Sequence, residues 1–299
     1  MNLKSTPFIS IIIPTYNHAN FLAKALESVI NQTYRNWEAI VIDNHSTDGT
    51  SEIINKYKDT RIHYLKISND GIIAKSRNLG INVAKGKWIA FLDSDDYWTE
   101  DKLEICIKNI DDEVDFVYHK LEIIYHKSKS YFKRKKNIGR NLNKPILNNL
   151  LTSEIKEGTA IGNSSVVVRK DILDKIRGIS ENKNMVASED FNTWLRVAQI
   201  TNKFKYLNNR LGYYLVHGNS AQKRDLSIPH REAVIEFMKL YSSKQKLNLE
   251  VKLKYMSGNY NILINNYIKA KSDFFFVFKN GGINLKLRSL LKTILIIFK

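Results

Sequence analysis

Four short apolar runs divide the first hundred residues, and they constrain the fold more than any other feature. They are residues 8–14 (FISIIIP), 39–42 (AIVI), 62–65 (IHYL) and 88–92 (WIAFL). Continuous runs of this kind are the mark of strands covered on both faces. The links between them carry helical spacing. Phe21, Leu22, Ala25, Leu26, Val29 and Ile30 line one face in the first, and Thr50, Ile53, Ile54 and Tyr57 in the second. Residues 74–84 predict a third helix, closed by Gly86. Strands alternating with helices through short links predict right-handed crossovers and a mostly parallel α/β sheet with helices on both faces. Ligands of such sheets bind at the carboxyl ends of the strands. The turn Thr15-Tyr16-Asn17, Asp43 and the cluster Asp93-Ser94-Asp95-Asp96 all fall at such ends, so one shared rim is expected.

Beyond residue 100 the pattern loosens. A helix at 102–110 and a strand at 114–118 are expected, followed by residues 127–144, which hold eight basic and no acidic side chains and read as an exposed loop or hairpin. Residues 164–168 (SSVVV) predict another buried strand. Phe191, Trp194, Leu195 and Ala198 predict a helix directly after Ser188-Glu189-Asp190. Two strands, 204–207 and 211–216, then lead to His217, and helical periodicity rich in lysine follows from about Leu226. The expected organisation is one domain over residues 1–222 and a basic helical extension over 223–299.

Charge and cysteine content narrow the partners. The balance of 47 Lys+Arg against 30 Asp+Glu, a formal +17, attracts polyanions. Nucleic acid is not an expected partner, because no recognition motif accompanies the charge. An anionic membrane surface is the other candidate. The single cysteine, Cys106, excludes an internal disulfide and fits a reducing compartment. Residues 1–7 lack the features of a signal peptide, and no run of about 18 apolar residues predicts a membrane span. A cytoplasmic location is therefore expected, including a peripheral one on the inner face of the cell membrane.

Three carboxylates at the end of a buried strand repel one another unless something cationic offsets them. Mg²⁺ and Mn²⁺ prefer oxygen ligands and commonly bridge one or two carboxylates to substrate phosphates. Taken alone, Asp93 to Asp96 also read as a solvated turn with helix-capping acids. Their context is more specific. SIIIPTYN at 10–17, SVINQTY at 28–34, VIDN at 41–44 with STDGT at 46–50, SRNLG at 76–80, GKWIAFLDSDD at 86–96, SED at 188–190 and YLVHGNS at 214–220 occur in unbroken order. With these blocks the chain resembles the inverting family 2 glycosyltransferases of the GT-A fold, over roughly residues 8–220.

That resemblance implies a nucleotide-sugar-binding and catalytic domain over residues 1–222. Pro14, Thr15, Tyr16 and Asn17 would line the base and ribose pocket, with the Tyr16 ring able to stack. Asp43 would accept a hydrogen bond from the base, as uracil's imide offers a donor. Arg77 would reach the base or diphosphate. Asp93 and Ser94 would lie at the nucleotide, and Asp95 would bind Mn²⁺ or Mg²⁺, with His217 completing the metal or phosphate site. Asp190 would be the general base that takes the acceptor hydroxyl's proton. The roles of Asp96 and Glu189 stay open, Asp96 between helix cap and support for the metal ligand.

One departure bears on the product. Processive members of the family carry a Gln/Arg-x-x-Arg-Trp motif after the base, whereas all four tryptophans here lie at or before Trp194. Transfer of one sugar at a time is expected, from a nucleoside-diphosphate sugar such as a UDP-sugar to a glycan or glycolipid acceptor. Two alternatives are a sugar nucleotidyltransferase and a non-catalytic nucleotide- or glycan-binding module. The first would want a glycine-rich triphosphate loop where Pro14-Thr15-Tyr16-Asn17 stands, and Asp95 and Asp190 speak against the second. The tail combines FFFVF at 274–278 with Lys286, Arg288, Lys292 and Lys299 among leucines and isoleucines. It reads either as an interfacial amphipathic helix or as a final helix packed on the domain.

Overall fold

The computed structural model describes residues 8–125, 141–142, 161–217 and 224–297. Most of the basic segment 127–144, and Gly218-Asn219-Ser220 of the last matching block, lie outside the described residues.

The four apolar runs become β1 (Ile9–Thr15), β2 (Trp37–Asp43), β3 (Ile62–Lys66) and β4 (Trp88–Phe91). The links become α1 (Ala19–Ile30), α2 (Thr50–Lys56) and α3 (Ile73–Val83). These strands pair in parallel in the order β3-β2-β1-β4, with Ile12 opposite both Ile40 and Phe91. Every residue of β1 and β2 is buried. Successive side chains point to opposite faces, so Ile9, Ile11 and Ile13 pack with Leu22 and Leu26 on one side of the sheet. Ile12 and Ile42 pack with Ala74, Ile81 and Trp194 on the other. Truncating one such isoleucine to alanine costs about 2–5 kcal/mol.

Past β4 the strands are β5 (Tyr97–Trp98), β6 (Phe116–Tyr125), β7 (Asn141–Leu142), β8 (Val167–Arg169) and β9 (Phe204–Val216). The order continues β4-β8-β6-β9-β5, and β7 pairs with β6. Here β8 is antiparallel to both β4 and β6, β5 is antiparallel to β9, and β6 and β9 are parallel. The sheet is thus mixed, where a mostly parallel one was expected. The expectation rested on strand–helix repeats, and these stop at β4, which exits through the acidic turn straight into β5.

Three local expectations are corrected. Residues 163–165 form a 3₁₀ turn, tied by the Ser165 hydroxyl to the Gly162 carbonyl, and the strand is confined to Val167–Arg169. The two strands at 204–207 and 211–216 are one strand, β9, whose pairing with β6 skips from Leu207 to Arg210, so that Asn208 and Asn209 bulge. Gly86 does not close α3, since Ala84 is already extended. Gly86 instead lies against β1, where a Cβ would stand 2.5 Å from the Ser10 backbone nitrogen.

The remaining helices are α4 (Lys102–Lys108), α5 (Lys170–Lys175), α6 (Glu189–Ile200), α7 (Ser227–Val234), α8 (Ser243–Leu263), α9 (Tyr267–Asn280) and α10 (Ile283–Ile297). Ala233, Val234, Leu249 and Leu253 from α7 and α8 share the buried cluster of Ile12 and Trp194. Further along α8, Gly258 admits the Phe274 ring of α9, which a Cβ would meet at 2.9 Å. Among the described residues no helix is long and apolar enough to cross a membrane.

Candidate active site

The carboxyl ends of β1, β2 and β4 meet at one rim. Asn17 follows β1 in the left-handed region (φ 51°), a conformation Asn tolerates better than most residues. Its backbone N–H donates to the Ser46 hydroxyl at 2.8 Å, and its side-chain carbonyl accepts from the Thr47 N–H at 2.8 Å. Ser46 in turn donates to Asp43, whose other oxygen accepts from the Tyr64 hydroxyl at 2.7 Å. Asp43 is buried, whereas Tyr16 is 55% exposed. The Thr15 hydroxyl is buried with no partner among the described residues, which leaves it free to serve a ligand.

The acidic cluster alternates. Asp93 and Asp95 are half-buried while Ser94 and Asp96 are buried. Ser94 Oγ lies 2.8 Å from His18 Nδ1. Asp96 accepts from the Ser164 hydroxyl at 2.6 Å and from the Leu215 N–H at 3.0 Å, which fastens the exit of β4 to β9. Asp96 is therefore no helix cap. Burial, then the charges of Asp95 and Asp93, hold its carboxyl well above the usual carboxylate range. Asp95 Oδ2 stands 2.9 Å from His217 Nε2, and the His217 ring is tilted against Phe21.

Arg77 on α3 does not open towards solvent. Its side chain is 4% exposed, with one arm donating to Asp93 at 2.7 Å and the other to Glu189 at 2.6 Å. Asn163 adds a second, longer donor to Asp93 at 3.3 Å. Arg77, expected to reach a base or diphosphate, here bridges the end of β4 and the start of α6. Glu189 also accepts from the Ala187 N–H at 2.7 Å, and Ala187 itself holds a left-handed backbone (φ 73°). Such a conformation is unusual for alanine and marks a position the surroundings hold in place.

Asp190 lies in the first turn of α6, next to Glu189. Phe191, Trp194 and Leu195 bury the inner face of that helix and fix its start. Burial and the neighbouring Glu189 charge push the Asp190 carboxyl up to about 7, against the pull of Arg77. A base is most effective with a pKa near the operating pH. Tyr214 is a neighbour of these carboxylates that sequence reasoning did not single out. Burial, then Asp96, Asp95, Asp93 and Asp190, raise its phenol, which places it among the carboxylates of both halves of the site. Its position on β9, three residues before His217, was the available signal. Ser164, Asn163 and His18 were missed as well, and nothing in their immediate sequence marks them.

Asp93 and Asp95 lie half-buried at the end of β4, and among the described residues Arg77, which Asp93 shares with Glu189, is the one Lys or Arg paired with this cluster. A divalent ion fits that imbalance. No group of three His, Cys, Asp or Glu side chains able to hold a metal occurs among the described residues. Asp95 and His217 supply two donors, and Mg²⁺-like ions are ordinarily held by one or two protein groups with phosphate and water completing the shell. The residues present therefore fit a metal shared with a bound diphosphate.

The sequence matches the family model described as glycosyl transferase family 2 over residues 10–177. The Escherichia coli UDP-Glc:α-D-GlcNAc-diphosphoundecaprenol β-1,3-glucosyltransferase WfaP is 32% identical over 212 residues, 71% of this chain and 78% of its own length. The putative teichuronic acid biosynthesis glycosyltransferase TuaG of Bacillus subtilis is 41% identical over 100 residues, 33% of this chain and 40% of its own. Among solved structures, S. aureus TarS 1–349 in complex with UDP superposes with a TM-score of 0.62 at 19% identity, covering 91% of this chain and 83% of that one. The mannosyltransferase PcManGT of Pyrobaculum calidifontis, in complex with GDP-Man and Mn²⁺, gives 0.63 at 14% identity, covering 99% and 82%. At these identities the two structures establish the fold alone.

Proposed function

The chain belongs to glycosyltransferase family 2, on the GT-A fold, and we propose that it moves one sugar at a time from a UDP-sugar to a hydroxyl of a surface-glycan acceptor, with inversion. The observation that supports this is the Arg77 bridge, which ties Asp93 at the end of β4 to Glu189, the neighbour of Asp190, whose carboxyl is raised to about 7. WfaP is named for a UDP-glucose donor and a diphosphoundecaprenol-linked acceptor, and TarS is solved with UDP. A lipid-linked oligosaccharide, lipopolysaccharide or capsule precursor is the acceptor class we infer, met at the inner face of the cell membrane.

In this reading, Pro14, Thr15 and Asn17 shape the pocket for the base and ribose, and the exposed Tyr16 ring stacks on the base. Asp43 accepts from the base while Tyr64 and Ser46 hold its carboxylate in place. Asp93 and Ser94 lie at the nucleotide. Asp95 and His217 are the residues that would hold Mn²⁺ or Mg²⁺, and PcManGT is solved with Mn²⁺. When bound, the ion supplies charge neutralisation for the departing nucleoside diphosphate. Asp190 takes the proton of the acceptor hydroxyl as the hydroxyl oxygen attacks the anomeric carbon. Arg77 acts at one remove, orienting Asp93 and Glu189 rather than touching the diphosphate. The division of the chain at residues 222/223 belongs to the same reading.

The test is a screen of nucleoside-diphosphate sugars with Mn²⁺ present, following release of the nucleoside diphosphate. Turnover of at least one UDP-sugar is expected. Turnover confined to a sugar phosphate and a nucleoside triphosphate would replace this reading with nucleotidyl transfer.

A further inference from the structure

Helix α10 is amphipathic in the reverse of the usual sense. The side chains it buries are Ser289 and Ile296, whereas Leu287, Leu290, Leu291, Ile294 and Leu295 are exposed, Leu291 by 62%. At 3.6 residues per turn these five span an arc of roughly 140°. Lys286 borders that arc on one side and Arg288 on the other. Helix α9 has the same character on a smaller scale. Its exposed face carries Phe275 and Phe278 together with Lys271 and Lys279.

The charge of this region has one sign. Residues 264–297 hold six Lys and Arg side chains and a single acid, Asp273. Asp273 is buried, accepting from Lys254 at 3.0 Å and from Ser257 at 2.7 Å. No acidic side chain is therefore left on the outer surface of these two helices. Contiguous apolar surface rimmed by polar groups marks an interaction site in a folded protein. A second copy docked on this face would set cations against cations. An anionic bilayer answers both features, since leucines enter the acyl boundary while lysine and arginine reach up to the headgroups. Lasting interfacial attachment needs two contributions, and apolar burial plus cationic attraction are the two present.

We propose that the outer face of α10, with Phe275 and Phe278 of α9, seats the enzyme on an anionic lipid surface. The proposal builds on the membrane-linked acceptor inferred above by naming the surface that would bring the site to it.

The test is co-flotation of the full chain with vesicles of phosphatidylcholine, and of phosphatidylcholine mixed with phosphatidylglycerol, at low and high salt. Binding to the mixed vesicles and loss of that binding at high salt are expected. Leu287→Ser/Leu291→Ser should weaken it by about tenfold or more, since two apolar side chains no longer enter the bilayer. Lys286→Gln/Arg288→Gln should remove the preference for the anionic lipid. All four positions lie outside the core, and unchanged UDP binding confirms that the variants fold. A wild-type chain that stays unbound, or a Leu287→Ser/Leu291→Ser chain that floats like wild type, would overturn the proposal. So would self-association through this face that the same double substitution abolishes. UDP-sugar turnover without vesicle binding would remove the surface and leave the transferase reading intact. Vesicle binding without turnover would do the reverse.

Discussion

Arg77 and Glu189, 112 positions apart in the chain, meet at 2.6 Å beneath the rim of the site. The other arm of Arg77 holds Asp93 at 2.7 Å, so one guanidinium joins the end of β4 to the helix that carries Asp190. A buried pair contributes little net stability compared with an apolar replacement of both partners, but removing one partner strands the other. Arg77→Met is therefore expected to destabilise the fold by about 3–5 kcal/mol. A denaturation midpoint close to that of the wild type would show that water reaches both carboxylates.

The same pair bears on the base. Glu189 raises the Asp190 carboxyl and Arg77 lowers it, with burial the largest influence. Transfer should therefore rise with pH through about 7 on kcat/KM. Glu189→Gln removes a negative neighbour and should move that limb to lower pH. A limb that stays in place would separate Glu189 from the base.

Asp190→Asn should retain UDP binding and lose roughly 10²–10⁴-fold in transfer, the usual worth of a positioned base. Its stability effect has the opposite sign. A carboxyl raised from 3.8 to about 7 holds its proton in the folded state where the unfolded chain has lost it. Wild-type stability is therefore drawn down as pH rises from about 4 to 7. The thermal midpoint of Asp190→Asn should gain on the wild type across that window. A constant difference at all pH values would mean that Asp190 titrates alike folded and unfolded.

The first four strands are legible in the sequence because each is an uninterrupted apolar run, and burial on both faces demands that pattern. The rim residues Thr15, Asp43 and Asp93 follow directly from where those runs stop. What the sequence conceals is set by distant partners. Arg77 reads as a group for a base or diphosphate, and its pairing with Asp93 and Glu189, 16 and 112 positions away, shows no sign in the sequence. Asp96 reads equally as a cap or as support for a metal ligand until Ser164 and Leu215 are seen to bond its oxygens. The apolar run at 164–168 announces β8, but neither its antiparallel direction nor the 3₁₀ turn that shortens it to Val167–Arg169 shows in so short a run. The extra residues Asn208 and Asn209 divide β9 by composition but not in space.

Acid should weaken the fold through His230. Its ring stacks at 4.4 Å on Phe191, the residue after Asp190, and is buried. Burial, then Lys252, lowers its pKa to about 3. The folded state thus refuses a proton that the unfolded chain accepts below about 6.5, and stability is lost as pH falls through that value. Between pH 7 and 5 this one ring should account for about 2 kcal/mol. His230→Phe keeps the stacking and removes the titration, so its stability should fall less over that range. An unchanged acid limb in that variant would assign the loss to other groups.

The pair Asp95 and His217 carries the last prediction. At 2.9 Å they hydrogen-bond to each other, and both lie among carboxylates that repel an incoming diphosphate. UDP is therefore expected to bind poorly in chelator and at least about tenfold more tightly with Mn²⁺ or Mg²⁺, which bridge carboxylates to phosphates. Asp95→Asn should remove most of that difference while leaving the affinity in chelator nearly unchanged or slightly improved, because it also removes a negative charge from the pocket. His217→Ala should reduce the metal-dependent gain less, since a water can fill one position in the shell of a hard cation. Calorimetric titration of UDP with and without metal measures all three. Equal affinity in both conditions for the wild-type chain would remove the metal from this site and leave Asp95 with only the His217 hydrogen bond to explain it.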